Sequence, residues 1–175
     1  MTIAIRPATG GDVAAIDALL RRSFPAPDEA NLVRQLCIDG DMVLTLVADD
    51  AQSGALAGMV AFSRMEVRVN DVALAAVALA PVAVEAAYRR QGVAEALIAA
   101  GHRHLADAGY LLSFVLGEPG YYGRFGYAAD LARGFDSPYA GDYLMALALQ
   151  DGKLPCGVRG VAAHAGAFAG LAENA

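Results

Sequence analysis

Residues 73–94 read ALAAVALAPVAVEAAYRRQGVA, and this stretch decides the fold. Its first part, Leu74 to Val84, is a continuous apolar run of the kind that forms a buried strand. Its second part, Tyr88 to Ala94, is a basic turn that contains Gly92 and leads directly into a helical pattern. Amide groups at a helix N-terminus have no partner within the helix, and the helix dipole adds partial positive charge there. The stretch therefore predicts a phosphate site at a strand–turn–helix junction.

Pro81 lies inside the predicted strand. Because proline has no N–H to donate, in a central strand it marks a bulge or a break in pairing. The amides of Val82 to Val84 would then be available to an extended ligand that carries amides of its own. A diphosphate attached to an amide-containing arm describes coenzyme A.

Two motifs resemble signatures of the GNAT N-acetyltransferase superfamily. Arg89 to Ala94 matches its R/Q-x-x-G-x-G/A pattern, and the preceding Leu79 to Val84 is similar to its splayed fourth strand. Further on, Tyr122 to Tyr127 reads YGRFGY and is similar to the Y-x-K/R-x-G-F motif of that family. The two motifs occur in the family's order with a predicted strand between them. The resemblance spans about Ile3 to Leu149.

The resemblance implies a mixed α/β (α+β) fold in a single domain. Its sheet would be mostly antiparallel, splayed between strands four and five, and flanked by helices. The acetyltransferase domain would occupy residues 1–149, and residues 150–175 would form a C-terminal extension packed on the same domain. Acetyl-CoA is the implied co-substrate, and a primary amine of a small molecule or a peptide is the implied acceptor. A homodimer is compatible with the family.

Composition excludes several other classes. The 175 residues suffice for one domain with a core, and alanine accounts for much of the 57% hydrophobic content. No stretch offers the roughly 18 uncharged apolar residues of a membrane span, and the N-terminus does not read as a signal peptide, so we expect a cytoplasmic protein. The net charge of −6 argues against nucleic acid as a partner. Cys37 and Cys156 are too few for a disulfide framework or a metal site.

Hydrophobic periodicity predicts the elements around this stretch. Thr9 and Asp12 form a capping box before a first helix that would bury Val13, Ile16, Leu19 and Leu20. Another helix begins at Gly92 and ends at Gly109. The predicted strands are Ile3–Arg6, Met42–Ala48, Leu56–Val67, Leu74–Val84, Tyr110–Leu116 and Tyr143–Leu149, with one more near Val158–Val161 and a short helix at Tyr121–Phe125.

The coenzyme would be held mainly by backbone groups. Gly92 allows close approach of the diphosphate because it has no side chain, and Arg89 and Arg90 add positive charge. An amide near Pro81, that of Val82 or a neighbour, would polarise the thioester carbonyl as an oxyanion hole does. The expected cofactor-binding residues are Val82, Ala83, Val84, Arg89, Arg90, Gln91, Gly92, Val93 and Ala94.

Catalysis needs an acid for the departing thiolate and a base for the amine. The resemblance assigns the acid to Tyr122. A free alkylamine has a pKa of about 10.4, so a base or a water chain must remove a proton before attack. The fourth strand carries no acidic residue; Glu118 is the candidate base, and Glu66, Glu85 and proton loss through water remain open. The histidines do not suggest a metal site, since His102 and His104 face about 200° apart on a helix and His164 lies in the tail.

Two non-enzymatic interpretations remain. The chain could bind acyl-CoA as a sensor without turnover, which the missing acid in the fourth strand allows. It could also be a partner-binding protein in which the coenzyme groove is vestigial. The acceptor would be chosen by the loops at Phe24–Ala30 and Phe135–Tyr143, whose residues do not reveal its identity.

Overall fold

The computed structural model describes residues 2–151 and 154–173. Residues 152, 153, 174 and 175 of the predicted C-terminal extension lie outside this set. The strands are β1 (Ile3–Pro7), β2 (Met42–Asp50), β3 (Leu56–Val69), β4 (Val72–Val84), β5 (Leu112–Leu116), β6 (Leu144–Ala148) and β7 (Arg159–His164). The α-helices are α1 (Val13–Ser23), α2 (Asp28–Asp39), α3 (Val93–Asp107), α4 (Pro119–Tyr122), α5 (Ala129–Ala132) and α6 (Ala169–Glu173).

The strands form one seven-stranded sheet in the order β1-β2-β3-β4-β5-β6, with β7 paired to β3. The pairs β1–β2, β3–β7 and β5–β6 are antiparallel, whereas β4 and β5 are parallel. The parallel ladder joins Ala76–Ala78 to Leu112–Phe114, while β4 as a strand continues through Pro81 to Val84. The predicted mixed, mostly antiparallel fold is confirmed. The ladder between β4 and β5 is short, as expected for two strands that splay apart.

The described residues form two compact units. The first unit contains the described residues of ranges 1–62, 80–101 and 166–175, and the second unit contains those of ranges 63–79 and 102–165. The chain passes between the units within β3, β4 and α3, and once more just after β7. No helix of the described residues is long and apolar enough to cross a membrane.

The core of the first unit lies between α1, α2 and strands β2 to β4. It consists of Ile16, Leu19, Leu20, Ala30, Val47, Met59, Ala61 and Ala83. The prediction for α1 is confirmed at Ile16, Leu19 and Leu20, but it is wrong at Val13, which is 65% exposed. Val13 instead lines an open apolar hollow of about 850 Å³ between α1 and α2, together with the exposed Ile38.

The start of α1 is fixed by charge. The predicted capping box at Thr9 and Asp12 is present, and the Thr9 amide donates to Asp12 Oδ2 over 2.7 Å. Arg6 on β1 donates to both oxygens of Asp12 over 2.8 and 2.9 Å and to Asp49 on β2 over 2.7 Å. The Arg6 guanidinium holds the pKa of Asp12 well below its usual range. These bonds join the first helix to the edge of the sheet.

In the second unit, the β3–β4 turn is joined to the C-terminal part of the chain. Asn70 and Asp71 both have left-handed φ angles, 51° and 64°, as a tight hairpin turn requires. The Asn70 side chain donates to Cys156 O over 3.2 Å and accepts from the Val158 amide over 2.8 Å. The strand predicted near Val158–Val161 is confirmed as β7, which this contact aligns along β3.

Candidate active site

In the first unit, β4 runs closely against β3 before it enters the basic turn. A Cβ on Gly58 of β3 would lie 2.9 Å from Ala83 O and 3.2 Å from side-chain atoms of Val93 and Leu97 on α3. Only glycine fits there without displacing the neighbours, since real Cβ contacts are not this short. The end of β4 and the first turns of α3 are thereby packed on one site of β3.

The backbone of the turn from Arg89 to Gly92 makes it a candidate anion site. Arg90 and Gly92 both adopt left-handed φ angles, 61° and 80°. Turns that mix left- and right-handed residues can direct successive amides to one side and form an anion-binding nest. The first hydrogen bond of α3 runs from the Ala96 amide to Gly92 O over 3.0 Å. The amides that come before Ala96 are therefore not used in the hydrogen-bond ladder of the helix itself.

Side chains brace this turn from within the first unit. Arg89 Nε donates to Val84 O over 3.0 Å, so it ties the turn to the strand that precedes it. Gln91 Nε2 donates to Ala87 O over 3.1 Å, and the Tyr88 hydroxyl bonds Asp50 Oδ2 on β2 over 2.9 Å. Arg90 is exposed on the same turn. The turn is therefore held in shape by its own side chains while Arg90 faces outward.

The acidic candidates have different surroundings. Glu85 forms an ion pair with Arg22 of α1 at 2.5 Å, and this guanidinium lowers the pKa of Glu85, which makes it a weaker base than an ordinary glutamate. Glu66 on β3 is exposed and lies 3.4 Å from Arg68. Glu118 is exposed in the second unit, where its backbone oxygen accepts from the Tyr122 amide over 3.0 Å. Of these three candidate bases, Glu118 is the one whose backbone is hydrogen-bonded to Tyr122, the candidate proton donor.

Tyr122 sits in a cluster of aromatic rings at the end of α4. Its ring is perpendicular to that of Tyr121 at 4.9 Å between centroids and to that of Tyr127 at 6.1 Å, and it also packs near Phe125. Tyr122 is half-buried, and burial, followed by the nearby Tyr121, raises the pKa of Tyr122 to about 12. Its phenol therefore stays protonated at neutral pH, which is the form that a proton donor needs.

Gly117 provides the room for the Tyr122 ring. A Cβ on Gly117 would lie 2.5 Å from Tyr122 Cε2 and 2.9 Å from its Cδ2. The backbone of Gly117 does not need the left-handed region, so contact with this ring is the reason for glycine here. The sequence showed Gly117 only as the end of a strand and gave no sign of this contact.

Tyr127 is buried, and its hydroxyl makes contacts that the sequence did not reveal. It lies 2.7 Å from Ser113 Oγ on β5 and 2.9 Å from His102 Nε2 on α3. Ser113 is fully buried, and burial lowers the pKa of His102 to about 4. The available signal was the tyrosine itself, since the motif that this segment resembles ends in phenylalanine.

The structure places the candidate residues in two groups. Val82 to Val84 and Arg89 to Ala94 lie together in the first unit, whereas Glu118 and Tyr122 lie in the second. Among the described residues, no cluster of three or more His, Cys, Asp or Glu side chains has the arrangement to hold a metal ion. Cys37 and Cys156 are both free and exposed.

Comparison with known proteins agrees with this geometry. A family model described as the acetyltransferase (GNAT) domain matches residues 4–129. The uncharacterized N-acetyltransferase YhbS of Escherichia coli K12 is 46% identical over 116 residues, which make up 66% of this chain and 68% of that protein. The chain belongs to the GNAT acetyltransferase family, an enzyme family, so the family predicted from the two motifs is confirmed.

Two solved structures are similar over nearly the whole chain. YhbS from Escherichia coli in complex with CoA has a TM-score of 0.86 and 36% identity, covering 95% of this chain and 92% of that one. A GNAT family acetyltransferase from Brucella melitensis in complex with acetyl-CoA has a TM-score of 0.73 and 27% identity, covering 95% and 98%. Both relatives thus hold the coenzyme that the strand–turn–helix stretch predicts.

Two half-buried imidazoles make the stability of the fold sensitive to mild acid. Burial lowers the pKa of both His102 and His164 to about 4, from an ordinary value near 6.5. Between these pH values the unfolded chain binds protons that the folded chain does not, so the free energy of unfolding falls as the pH falls. We expect the melting temperature to decrease from pH 7 to pH 5, and His102→Gln to remove about half of that decrease, because two similar groups contribute.

The control is His104→Gln, which changes an exposed histidine on the same helix. It should leave the pH dependence of the melting temperature as in the wild type. Carboxylates with a lowered pKa, such as Asp12 and Glu85, also contribute to the free energy of unfolding. That contribution is lost mainly below pH 5, so it does not mask the effect of the histidines between pH 7 and pH 5. A melting temperature that is constant between pH 7 and pH 5 would contradict the assignment of two half-buried imidazoles that stay neutral in the folded protein.

Proposed function

We propose that this protein is an N-acetyltransferase that moves the acetyl group of acetyl-CoA to a primary amine by direct attack in a ternary complex. The observation that carries the proposal is the turn at Gly92, with its two left-handed residues between the end of β4 and the start of α3. The CoA and acetyl-CoA held by two structurally similar relatives support the choice of coenzyme. A cytoplasmic location and the absence of a nucleic-acid partner, both expected from the sequence, belong to the same proposal.

The strand–turn–helix stretch would hold the coenzyme. The amides from Arg90 to Ala94 would bind the diphosphate, with the charge of Arg90 and the α3 dipole adding to the attraction. The backbone of Val82 to Val84 would bond the pantetheine arm in the way that a neighbouring strand would. Arg89 would support the shape of this turn, because its side chain donates to Val84 O.

Tyr122 would be the proton donor. The amine nitrogen attacks the thioester carbonyl carbon, the C–S bond breaks, and the thiolate of CoA takes a proton from the Tyr122 hydroxyl. The proton that the nitrogen loses as the amide forms returns through water to the Tyr122 oxygen. An amide near Val82 would stabilise the negative charge that develops on the carbonyl oxygen. The amine must first lose a proton, either to Glu118 or to water. Most of the rate enhancement would come from proximity and from polarisation of the carbonyl.

Replacement of Tyr122 by phenylalanine tests the catalytic part of this proposal. The change keeps the ring and its packing but removes the proton donor. We expect kcat to fall by about 10² to 10⁴, the usual contribution of a general acid, with the KM for acetyl-CoA nearly unchanged. The assay follows release of free CoA thiol from acetyl-CoA with a panel of primary amines.

Tyr121→Phe is the matched control, since it removes a hydroxyl from the neighbouring ring of the same cluster. It should leave kcat close to the wild-type value. Wild-type turnover in Tyr122→Phe would remove this tyrosine from the mechanism.

A sensor that binds acyl-CoA without turnover is the second candidate function. The observation that favours it is β4, which contains no acidic side chain from Val72 to Val84. CoA binding without thiol release over the whole amine panel would support the sensor. Absence of CoA binding would point to the third interpretation, in which the groove is vestigial.

A further inference from the structure

Tyr127 differs from the motif that its segment resembles by one buried oxygen atom. The motif Y-x-K/R-x-G-F ends in phenylalanine, whereas YGRFGY in this chain ends in tyrosine. Only 3% of Tyr127 is exposed, so its hydroxyl has been removed from water. A buried hydroxyl without a partner is costly, and its partners therefore indicate what it contributes.

The hydroxyl of Tyr127 joins two other elements of the second unit. It lies within hydrogen-bond distance of Ser113 Oγ, at 2.7 Å, and of His102 Nε2, at 2.9 Å. Ser113 is on β5 and His102 is on α3, so three separate segments meet at one oxygen. Two bonds in different directions fix the ring of Tyr127 more firmly than packing alone, since a phenylalanine ring in the same place could tilt.

The ring that is fixed in this way is the one on which Tyr122 packs. The two rings are nearly perpendicular, at 86°, with 6.1 Å between their centroids. On another side, Gly117 leaves room for the Tyr122 ring but none to spare, because a single added methyl group would reach within 2.5 Å of it. Tyr127 and Gly117 thus limit the space available to the Tyr122 ring.

We propose that Tyr127 is a positioning residue, whose hydroxyl is held by Ser113 and His102 so that its ring fixes the orientation of Tyr122. The inference rests on the proposed function, in which Tyr122 is the proton donor. It extends that function to a group of three residues that do not touch the reacting atoms. A shift of about 1 Å in a catalytic group can cost about a hundredfold in rate, so such support is consequential.

The ionisation states of the three groups agree with this arrangement. Burial keeps the pKa of Tyr127 above its ordinary value and that of His102 near 4, so both are neutral at pH 7. Both bonds are satisfied when Ser113 donates to the Tyr127 oxygen and the Tyr127 hydroxyl donates to His102 Nε2. No charge is then placed beside Tyr122, whose own pKa stays high.

The first experiment needs no turnover. In protein labelled with ¹³C at the tyrosine Cζ atoms, the Tyr122 signal is assigned by its loss in Tyr122→Phe, and its pKa is measured by titration. In the wild type we expect about 12. In Tyr127→Phe, water reaches a loosened Tyr122 ring, and its pKa should fall toward 10. Tyr143→Phe, a change at an exposed ring, is the control and should leave the Tyr122 pKa as in the wild type.

The second experiment measures coupling in the thiol-release assay with acetyl-CoA and primary amines. Tyr127→Phe should lower kcat about tenfold in the wild-type background, with the KM for acetyl-CoA unchanged. In the Tyr122→Phe background the same substitution should have no further effect, because there is no proton donor left to position. His102→Gln, which keeps a hydrogen-bonding group, should retain more activity than His102→Leu.

The outcomes separate this inference from the proposed function. An unchanged Tyr122 pKa in Tyr127→Phe, or an equal loss of kcat in both backgrounds, would show that the hydrogen-bonded group serves the fold alone and would overturn the inference. If Tyr122→Phe turns over like the wild type, the assigned proton donor is wrong, and the inference is overturned with it. Loss of turnover in Tyr122→Phe without coupling to Tyr127 would leave the proposed function standing and refute only the inference.

Discussion

Gly92→Glu is expected to abolish binding of CoA. Gly92 has a φ of 80°, a conformation that other residues adopt with difficulty, and it lies in the turn where we propose that the diphosphate binds. A glutamate there brings negative charge toward a negatively charged ligand, and this repulsion, even when screened by solvent, should weaken affinity by at least about a hundredfold. Isothermal titration calorimetry with CoA measures the effect.

Two further variants separate charge from backbone strain. Gly92→Gln has the size of the glutamate variant without its charge, and Gly92→Ala tests the left-handed backbone alone, since no atom lies within 4 Å of an added Cβ. We expect affinity to decrease in the order wild type, alanine, glutamine, glutamate. Wild-type affinity in Gly92→Glu would place the diphosphate elsewhere.

Gly117→Ala is expected to reduce turnover on the order of a hundredfold while CoA affinity stays close to the wild-type value. The added Cβ would lie 2.5 Å from Tyr122 Cε2, so the ring must move, and misplacement of a catalytic group by about 1 Å can cost this much. The ring cannot move freely because Tyr121 and Tyr127 pack around it. The measurement is kcat for thiol release beside calorimetry with CoA.

Gly120→Ala and Gly123→Ala are the matched controls. Both glycines lie in the same segment, neither needs a left-handed φ, and no atom lies within 4 Å of an added Cβ. Their turnover should remain near that of the wild type. If Gly117→Ala also turned over normally, the position of the Tyr122 ring would not matter to the reaction.

The strand–turn–helix stretch could be predicted because its signals are local. An apolar run, a basic turn and a glycine lie within 22 consecutive residues, and the second motif follows in the family's order. The strand that became β7 was also visible as a short pattern. Each of these features depends on neighbours in sequence.

The features that were missed depend on residues far apart in the chain. The pairing of Glu85 with Arg22 joins positions 63 residues apart, and the bonds of Tyr127 reach back to Ser113 and His102. The exposure of Val13 has a related cause, since a helical pattern marks an apolar face but does not show whether another element covers it. The fold was therefore predictable, whereas the surroundings of each candidate acid and base were not.

The most direct test of the account is to incubate the wild-type protein with acetyl-CoA and a panel of an alkylamine, an aromatic amine, an amino sugar and a peptide with a free N-terminus. Mass spectrometry detects the acetylated amine and the intact protein, and the free thiol reports CoA. We predict one acetylated amine for each CoA released, with no acetyl group left on the protein. CoA binding with no acetylated amine across the panel, or a stable acetyl-protein, would contradict it.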